Sequence, residues 1–292
     1  MKLSGSLVAL VTPFEGNQLD SEGLARNIEF LLANATAGLV PCGTTGESPT
    51  LSHEEWEKVI AMTAATARGR VPVVAGTGTN DTAKTIALTR QAEQLRADGA
   101  LVVTPYYNKP TQEGLYRHFR AVAESVGIQI VIYNAPGRTG VNVLPETVER
   151  LARDCPNIAA VKEASGSIDQ TSEILMRCGD RVTVLSGDDS LTLPILAAGG
   201  KGVISVIANI APKDVAALCS SCLAGRASEA LRLHQKLFPL ARAMFVETNP
   251  IPIKTAMNAL GMPAGELRLP LCEPSPANRQ RIEAALRDYG LI

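Results

Sequence analysis

From Ser6 onward the chain alternates short apolar runs of strand length with longer stretches in which apolar positions recur every three or four residues. A short run rich in Val, Ile and small apolar residues that stops at Gly, Thr, Pro or Asn reads as a buried strand emptying into a loop, and the longer stretches read as amphipathic helices. This pattern predicts eight strands, at Ser6–Val11, Gly38–Pro41, Val71–Ala75, Ala100–Thr104, Gln129–Tyr133, Ile158–Lys162, Val182–Ser186 and Gly202–Val206. Helix starts are marked between them. Asp20 precedes Leu24–Leu32, Ser52 and Glu55 form a capping box ahead of Trp56, and Asp81 or Thr82 opens the next helix. Thr111, Pro145, Ser167 and Pro212 open later ones. Strand–helix alternation across residues 1–224, with no separate run of strands, predicts a (β/α)8 barrel. An open doubly wound sheet is the alternative, but its usual Gly-x-Gly-x-x-Gly turn is missing after the first strand. After Gly225 only helical patterns remain, at Ala227–Ala241, Pro250–Ala259 and Ser275–Tyr289. Residues 225–292 hold too little core to stand alone and are expected to pack on the barrel or on a neighbouring subunit.

Composition narrows the function classes. The 292 residues suit one large α/β domain with an appendage, and 28 basic against 29 acidic residues give a net charge of -1 with no run of like charges. Neither nucleic acid nor an acidic membrane finds an electrostatic footprint here. No stretch has the unbroken apolar length of a membrane span, and the apolar run near the N-terminus lacks a small-residue cleavage site and reads as the first strand. A cytoplasmic location is expected. Of the six cysteines only Cys219 and Cys222 have motif spacing, and they fall inside a predicted helix, where packing explains them better than redox or zinc chemistry. The three histidines, His53, His118 and His234, form no ligand pair, so no catalytic metal is expected.

In a (β/α)8 barrel the active site lies at the carboxyl ends of the strands, so what each strand delivers there decides the chemistry. The sixth run, Ile158-Ala159-Ala160-Val161-Lys162, ends in a lysine followed by Glu163-Ala164-Ser165-Gly166. Lysines are rarely buried without a reason, and burial or a nearby cation favours the free amine that attacks a carbonyl. Two readings stand side by side: a Schiff-base lysine, or a side chain just past the core that points into water. The second strand ends in Gly43-Thr44-Thr45-Gly46-Glu47, where hydroxyls and backbone N–H groups can converge on a carboxylate or simply form a turn. Three of the five tyrosines, Tyr106, Tyr107 and Tyr133, sit at the fourth and fifth strand ends, placed either to pass protons or to make a subunit contact. Arg138, in a loop with Pro136 and Gly137, suits bidentate capture of a carboxylate or is a solvated loop arginine. Ser186-Gly187-Asp188-Asp189 places polar groups and bare backbone after the seventh strand, and Gly199-Gly200 reads as a helix end. This inventory, with no metal ligand set, suits a keto acid that forms an imine with the lysine, becomes an enamine and attacks a second carbonyl.

These segments, with Tyr106-Tyr107-Asn108-Lys109-Pro110, Tyr133-Asn134-Ala135-Pro136-Gly137-Arg138-Thr139-Gly140 and the later Asn249-Pro250-Ile251-Pro252-Ile253-Lys254, closely resemble the dihydrodipicolinate synthase family over essentially the whole chain. The resemblance implies condensation of pyruvate with aspartate 4-semialdehyde in lysine and diaminopimelate synthesis, with no cofactor, in a homotetramer built from two tight dimers. It implies Lys162 as the Schiff-base lysine and Tyr133 as the proton shuttle. Thr44 and Tyr107 would complete the relay, with Tyr107 crossing from an adjacent subunit. Thr45 would help to hold the pyruvate carboxylate, Gly187 and Ile204 would supply backbone contacts of that pocket, and Arg138 would bind the carboxylate of the semialdehyde.

The nearest relatives to separate from this family are neuraminate lyases and keto-deoxy sugar acid aldolases, which share the barrel, the lysine and the tyrosine. They usually lack the arginine in this segment, so Arg138 favours the synthase. A keto-acid-binding barrel without turnover is the alternative from another class. The family's lysine-inhibited members resemble this chain at Ser48, His53, Asn80 and Tyr106, but Trp56 and Lys84 stand where those members carry a histidine and a glutamate. A cation at position 84 repels the ammonium group of the effector. Feedback inhibition by lysine is therefore expected to be weak or absent.

Overall fold

In the computed structural model, residues 3–292 are described. Eight parallel strands follow the chain: β1 Gly5–Ala9, β2 Gly38–Val40, β3 Val74–Gly76, β4 Gly99–Val103, β5 Gln129–Asn134, β6 Ile158–Glu163, β7 Thr183–Ser186 and β8 Gly202–Ser205. They pair in the order β2-β1-β8-β7-β6-β5-β4-β3. The two ends meet through a parallel bridge from Leu39 to Val73 and through the Gly76 N–H, which donates to Pro41 O at 2.9 Å. This seam needs a bare backbone, since a Cβ on Gly76 would lie 2.0 Å from Cys42 O. The ring is a (β/α)8 barrel, as the alternating pattern predicts.

The strands are mostly apolar, as strands covered on both faces are. Leu7, Val40, Val74, Leu101, Val131, Ala160, Leu185 and Ile204, one from each strand, fill the barrel interior. Their neighbours along the strands, such as Val102, Ile132 and Val161, face the outer helices.

Those helices are α1 Ser21–Leu32, α2 His53–Ala67, α3 Thr82–Gln94, α4 Gln112–Ala123, α5 Pro145–Asp154, α6 Ile168–Cys178, α7 Thr192–Ala197 and α8 Pro212–Leu223. Asp20, Ser52, Asp81, Thr111 and Ser167 cap them as the sequence predicts, and Ser52 with Glu55 completes the reciprocal capping box. Two elements carry no readable signal. The six residues of α7, with Pro194 inside and no side-chain cap, are too few for a period to show. A two-residue hairpin, Phe14–Glu15 against Gln18–Leu19, occupies a stretch that reads as polar loop; Gly16 and Asn17 both take positive φ at its turn.

Three further helices, α9 Ala227–Ala243, α10 Ile251–Ala259 and α11 Pro276–Tyr289, close the chain. Their apolar faces are continuous with the outer barrel layer: Leu233, Leu237, Ile253, Met257, Ile282 and Leu286 share one core with Val8, Leu10, Val215 and Leu218. No helix among the described residues is long and apolar enough to cross a membrane. Cys219 and Cys222 lie on α8 as free cysteines, the first fully buried.

Candidate active site

Lys162 is buried, with 6 % of its surface exposed. A register shift in the sheet aims it. The β5–β6 pairing steps from Ile130↔Ile158 to Val131↔Ala160, which leaves Ala159 over. Ile158 faces the outer helices, whereas Ala160 faces the interior, so the extra residue turns the strand over. Lys162, two residues beyond Ala160, then points inward beside its register partner Tyr133, and its Nζ lies 4.2 Å from the centroid of the tyrosine ring. Tyr133 is 7 % exposed and reaches the same interior through Val131.

Gly187 sits against the lysine stem. A Cβ there would meet Lys162 Cε at 3.2 Å, Glu163 O at 3.1 Å and Ala164 Cβ at 2.7 Å. Its N–H donates to Glu163 O at 2.7 Å, which ties the loop after β7 to the strand that carries the lysine. Ile204, on β8, is fully buried in the interior cluster that also holds Tyr133. Asp189 joins the two strand ends from behind. Its carboxylate accepts from Ser205 Oγ at 2.5 Å, from Val206 N at 2.9 Å and from Ile207 N at 3.1 Å. Complete burial pushes its pKa up to about 6, against the opposing pull of those three donors.

Above Tyr133 opens a cavity of 540 Å³. Thr44, Tyr133 and Arg138 line it, and so do Ser48, His53, Trp56, Lys84 and Tyr106. The sequence separates these into a catalytic and a regulatory group; in the single chain they share one space. Trp56 is anchored by its Nε1, which donates to Gly76 O at 3.0 Å, and His53 stacks on it at 6.1 Å between ring centroids. Asn80 does not line the cavity, and its carbonyl accepts from Asn108 Nδ2 at 2.8 Å.

Thr45 is buried, and its hydroxyl accepts from Asn249 Nδ2 at 3.0 Å. Arg138 lies on the one-turn helix Pro136–Thr139 and donates from one Nη to Asn249 O at 3.3 Å, which fixes the guanidinium while its other donors are left for a ligand. Tyr107, like Asn80, is a site candidate that the fold leaves outside this cavity. Its side chain is 88 % exposed, its backbone φ is +73°, and it is not among the cavity-lining residues.

Sequence reasoning gave no role to Glu47, Asp189, Asn249 or Lys254, although Glu47 and Lys254 form an ion pair at 2.7 Å with both side chains 1 % exposed. The signal was present. Lys254 interrupts the apolar run Pro250–Met257 much as Lys162 ends one, so the same argument from an unexplained cation in core sequence applies to both. Among the described residues, no three His, Cys, Asp or Glu side chains converge as a metal site.

The model of the dihydrodipicolinate synthetase family matches residues 2–289. A protein of Geotalea daltonii named 4-hydroxy-tetrahydrodipicolinate synthase is 54 % identical over 288 residues, covering 99 % of both chains. The solved dihydrodipicolinate synthase of Aquifex aeolicus is 50 % identical, superposes with a TM-score of 0.97 and covers 99 % of both chains. A structure described as the first monomeric dihydrodipicolinate synthase variant is 46 % identical, with a TM-score of 0.97 over 99 % of this chain and 98 % of that one.

Proposed function

The chain belongs to the dihydrodipicolinate synthetase family, and we propose that it works through a Schiff base on Lys162. Its activity is that of a 4-hydroxy-tetrahydrodipicolinate synthase, a lyase that condenses pyruvate with L-aspartate 4-semialdehyde in diaminopimelate and lysine synthesis. In the proposed mechanism the Lys162 amine adds to the pyruvate ketone and water leaves, giving an imine. Loss of a methyl proton converts the imine to an enamine, and the enamine carbon forms the new bond to the aldehyde carbon of the semialdehyde. Tyr133, in van der Waals range of the lysine nitrogen, passes protons in both directions.

Thr45 helps to hold the pyruvate carboxylate in this reading, and the backbone at Gly187 and Ile204 lines that pocket. Thr44 continues the relay to Tyr107 of a neighbouring subunit. An exposed tyrosine held at positive φ, outside its own chain's cavity, supports that donation. So does the description of one solved relative as the first monomeric variant, wording that suits relatives that associate. A homotetramer in the cytoplasm, with residues 1–224 as the catalytic barrel and 225–292 as its helical extension, completes the proposal.

The observation that carries the reading is the buried lysine, set inside the barrel between Tyr133 and Gly187 below a cavity lined by Thr44 and Arg138. Arg138 supplies the preference for a carboxylate-bearing aldehyde. Rates with pyruvate plus aspartate semialdehyde, against pyruvate plus N-acetylmannosamine, test it. The semialdehyde is the expected substrate, and Arg138→Gln should lower kcat/KM for it by roughly ten- to a hundred-fold, the worth of about 1.5–3 kcal/mol of charged hydrogen bonding. Turnover of the sugar aldehyde alone would overturn the assignment.

A further inference from the structure

The turn that bears Thr44 and Thr45 is not held by the barrel alone. Glu47 ends that turn at φ +51°, a backbone conformation that a glutamate adopts at a cost, and its side chain goes inward. Glu47 Oε1 accepts from Lys254 Nζ at 2.7 Å, and Glu47 Oε2 accepts from Arg268 N at 3.0 Å. The same ammonium group donates to Thr12 O at 3.2 Å and Glu266 O at 2.6 Å, and it lies 4.4 Å from the Phe14 ring centroid. Thr12 Oγ1 in turn donates to Gly46 O at 2.8 Å. One residue earlier, Asn249 donates to Thr45 Oγ1. The Arg268 guanidinium also lies over the Phe14 ring, at 3.9 Å from its centroid, and binds both oxygens of Glu55, on α2, at 2.6 Å.

Every one of these tethers to the turn comes from residues 12–14 or 249–268, and none of the groups in them is within the catalytic inventory except Thr45. We infer that the buried Glu47–Lys254 pair is a positioning device, by which the segment 249–268 sets the orientation of the Thr44 and Thr45 hydroxyls above Lys162. The inference rests on the Schiff-base reading of the site. A buried pair is a poor source of net stability, because desolvation offsets its attraction, and neutral replacements of similar volume are commonly tolerated. What the pair does provide is direction: one ammonium with three fixed acceptors, and one carboxylate whose two oxygens are committed to different partners. Lys254 and Glu47 touch no reacting atom in this account.

The experiment compares wild type with Glu47→Gln/Lys254→Met, which removes both charges at once, and with the isosteric Glu47→Gln, which cannot accept from Lys254 and Arg268 together. Sites are counted by borohydride trapping with pyruvate, and kcat and the pyruvate KM are expressed per trapped site. The positioning role predicts folded variants that still trap pyruvate on Lys162 but condense about ten- to a hundred-fold more slowly, with a raised pyruvate KM, the scale of loss expected when a reacting group is misplaced by about an ångström. Per-site kinetics within about two-fold of wild type in both variants overturn the inference, however far melting temperature or yield falls, since the tether would then only hold the fold together. If wild type itself traps no pyruvate, the Schiff-base reading fails instead.

Discussion

Replacing Gly187 by alanine tests how tightly the site is built around the lysine. The added carbon would stand 2.7 Å from Ala164 Cβ, 3.1 Å from Glu163 O and 3.2 Å from Lys162 Cε. Apolar carbons settle at about 3.5–4.0 Å, so the contact with Ala164 is short by about 0.8 Å. Ala164 Cβ and the Glu163 carbonyl are fixed to a backbone that carries strand hydrogen bonds, including Gly187 N–H to Glu163 O. The flexible neighbour is the lysine stem. The strain of such overpacking is about 1–3 kcal/mol, visible as a lowered Tm. Its functional consequence is larger: displacement of the nitrogen approaching an ångström costs about ten- to a hundred-fold in the rate of imine formation. Intact-mass kinetics of borohydride-trapped pyruvate read that step directly, and thermal melting reads the strain. A variant that traps pyruvate at the wild-type rate and melts with wild type would refute the packing of Gly187 against Lys162.

Three further outcomes are expected. Because the folded state raises the pKa of Asp189 from 3.8 to about 6, its contribution to stability is complete below pH 3.8 and is lost as pH rises through 6, by about 3 kcal/mol. Asp189→Asn removes that component from the variant alone, so the stability advantage of wild type over variant should shrink by about 3 kcal/mol as pH rises across this range, whereas the burial of His118, pushed down to about 4, acts with the opposite sense in both proteins and cancels in the difference; a pH-independent difference would refute it. Tyr107→Phe should keep pyruvate trapping while slowing condensation by about a hundred- to ten-thousand-fold, the range of a lost proton-transfer group, and an unaffected rate would remove Tyr107 from the relay. Free lysine should inhibit weakly or not at all, because Lys84 lines the cavity where an ammonium group would have to bind; inhibition at sub-millimolar lysine would contradict this.

The barrel was legible because its strands are mostly apolar and most of its helix starts carry capping side chains, two signals that depend only on local sequence. Asp20, Ser52 and Thr111 cap helices as read. The inward aim of Lys162 was not legible in the same way. Strict alternation along Ile158–Lys162 puts Ile158, Ala160 and Lys162 on one face, and Ile158 faces outward; only the unpaired Ala159 turns the lysine inside. A bulge is set by the partner strand and leaves no mark in its own five residues. Lys254 stood out as a cation in core sequence, but its pairing with Glu47 stayed hidden, since the two lie 207 residues apart. The exposure of Tyr107 was not legible either, because it lies in the loop after β4, where no periodicity runs.

The measurement closest to the central claim is peptide mapping after borohydride reduction in the presence of pyruvate, on wild type and on Lys162→Ala. The account predicts a single reduced pyruvyl adduct on the peptide that contains Lys162, and an alanine variant that forms none and has lost turnover. An adduct on another lysine, or near-normal condensation by the alanine variant, would contradict it.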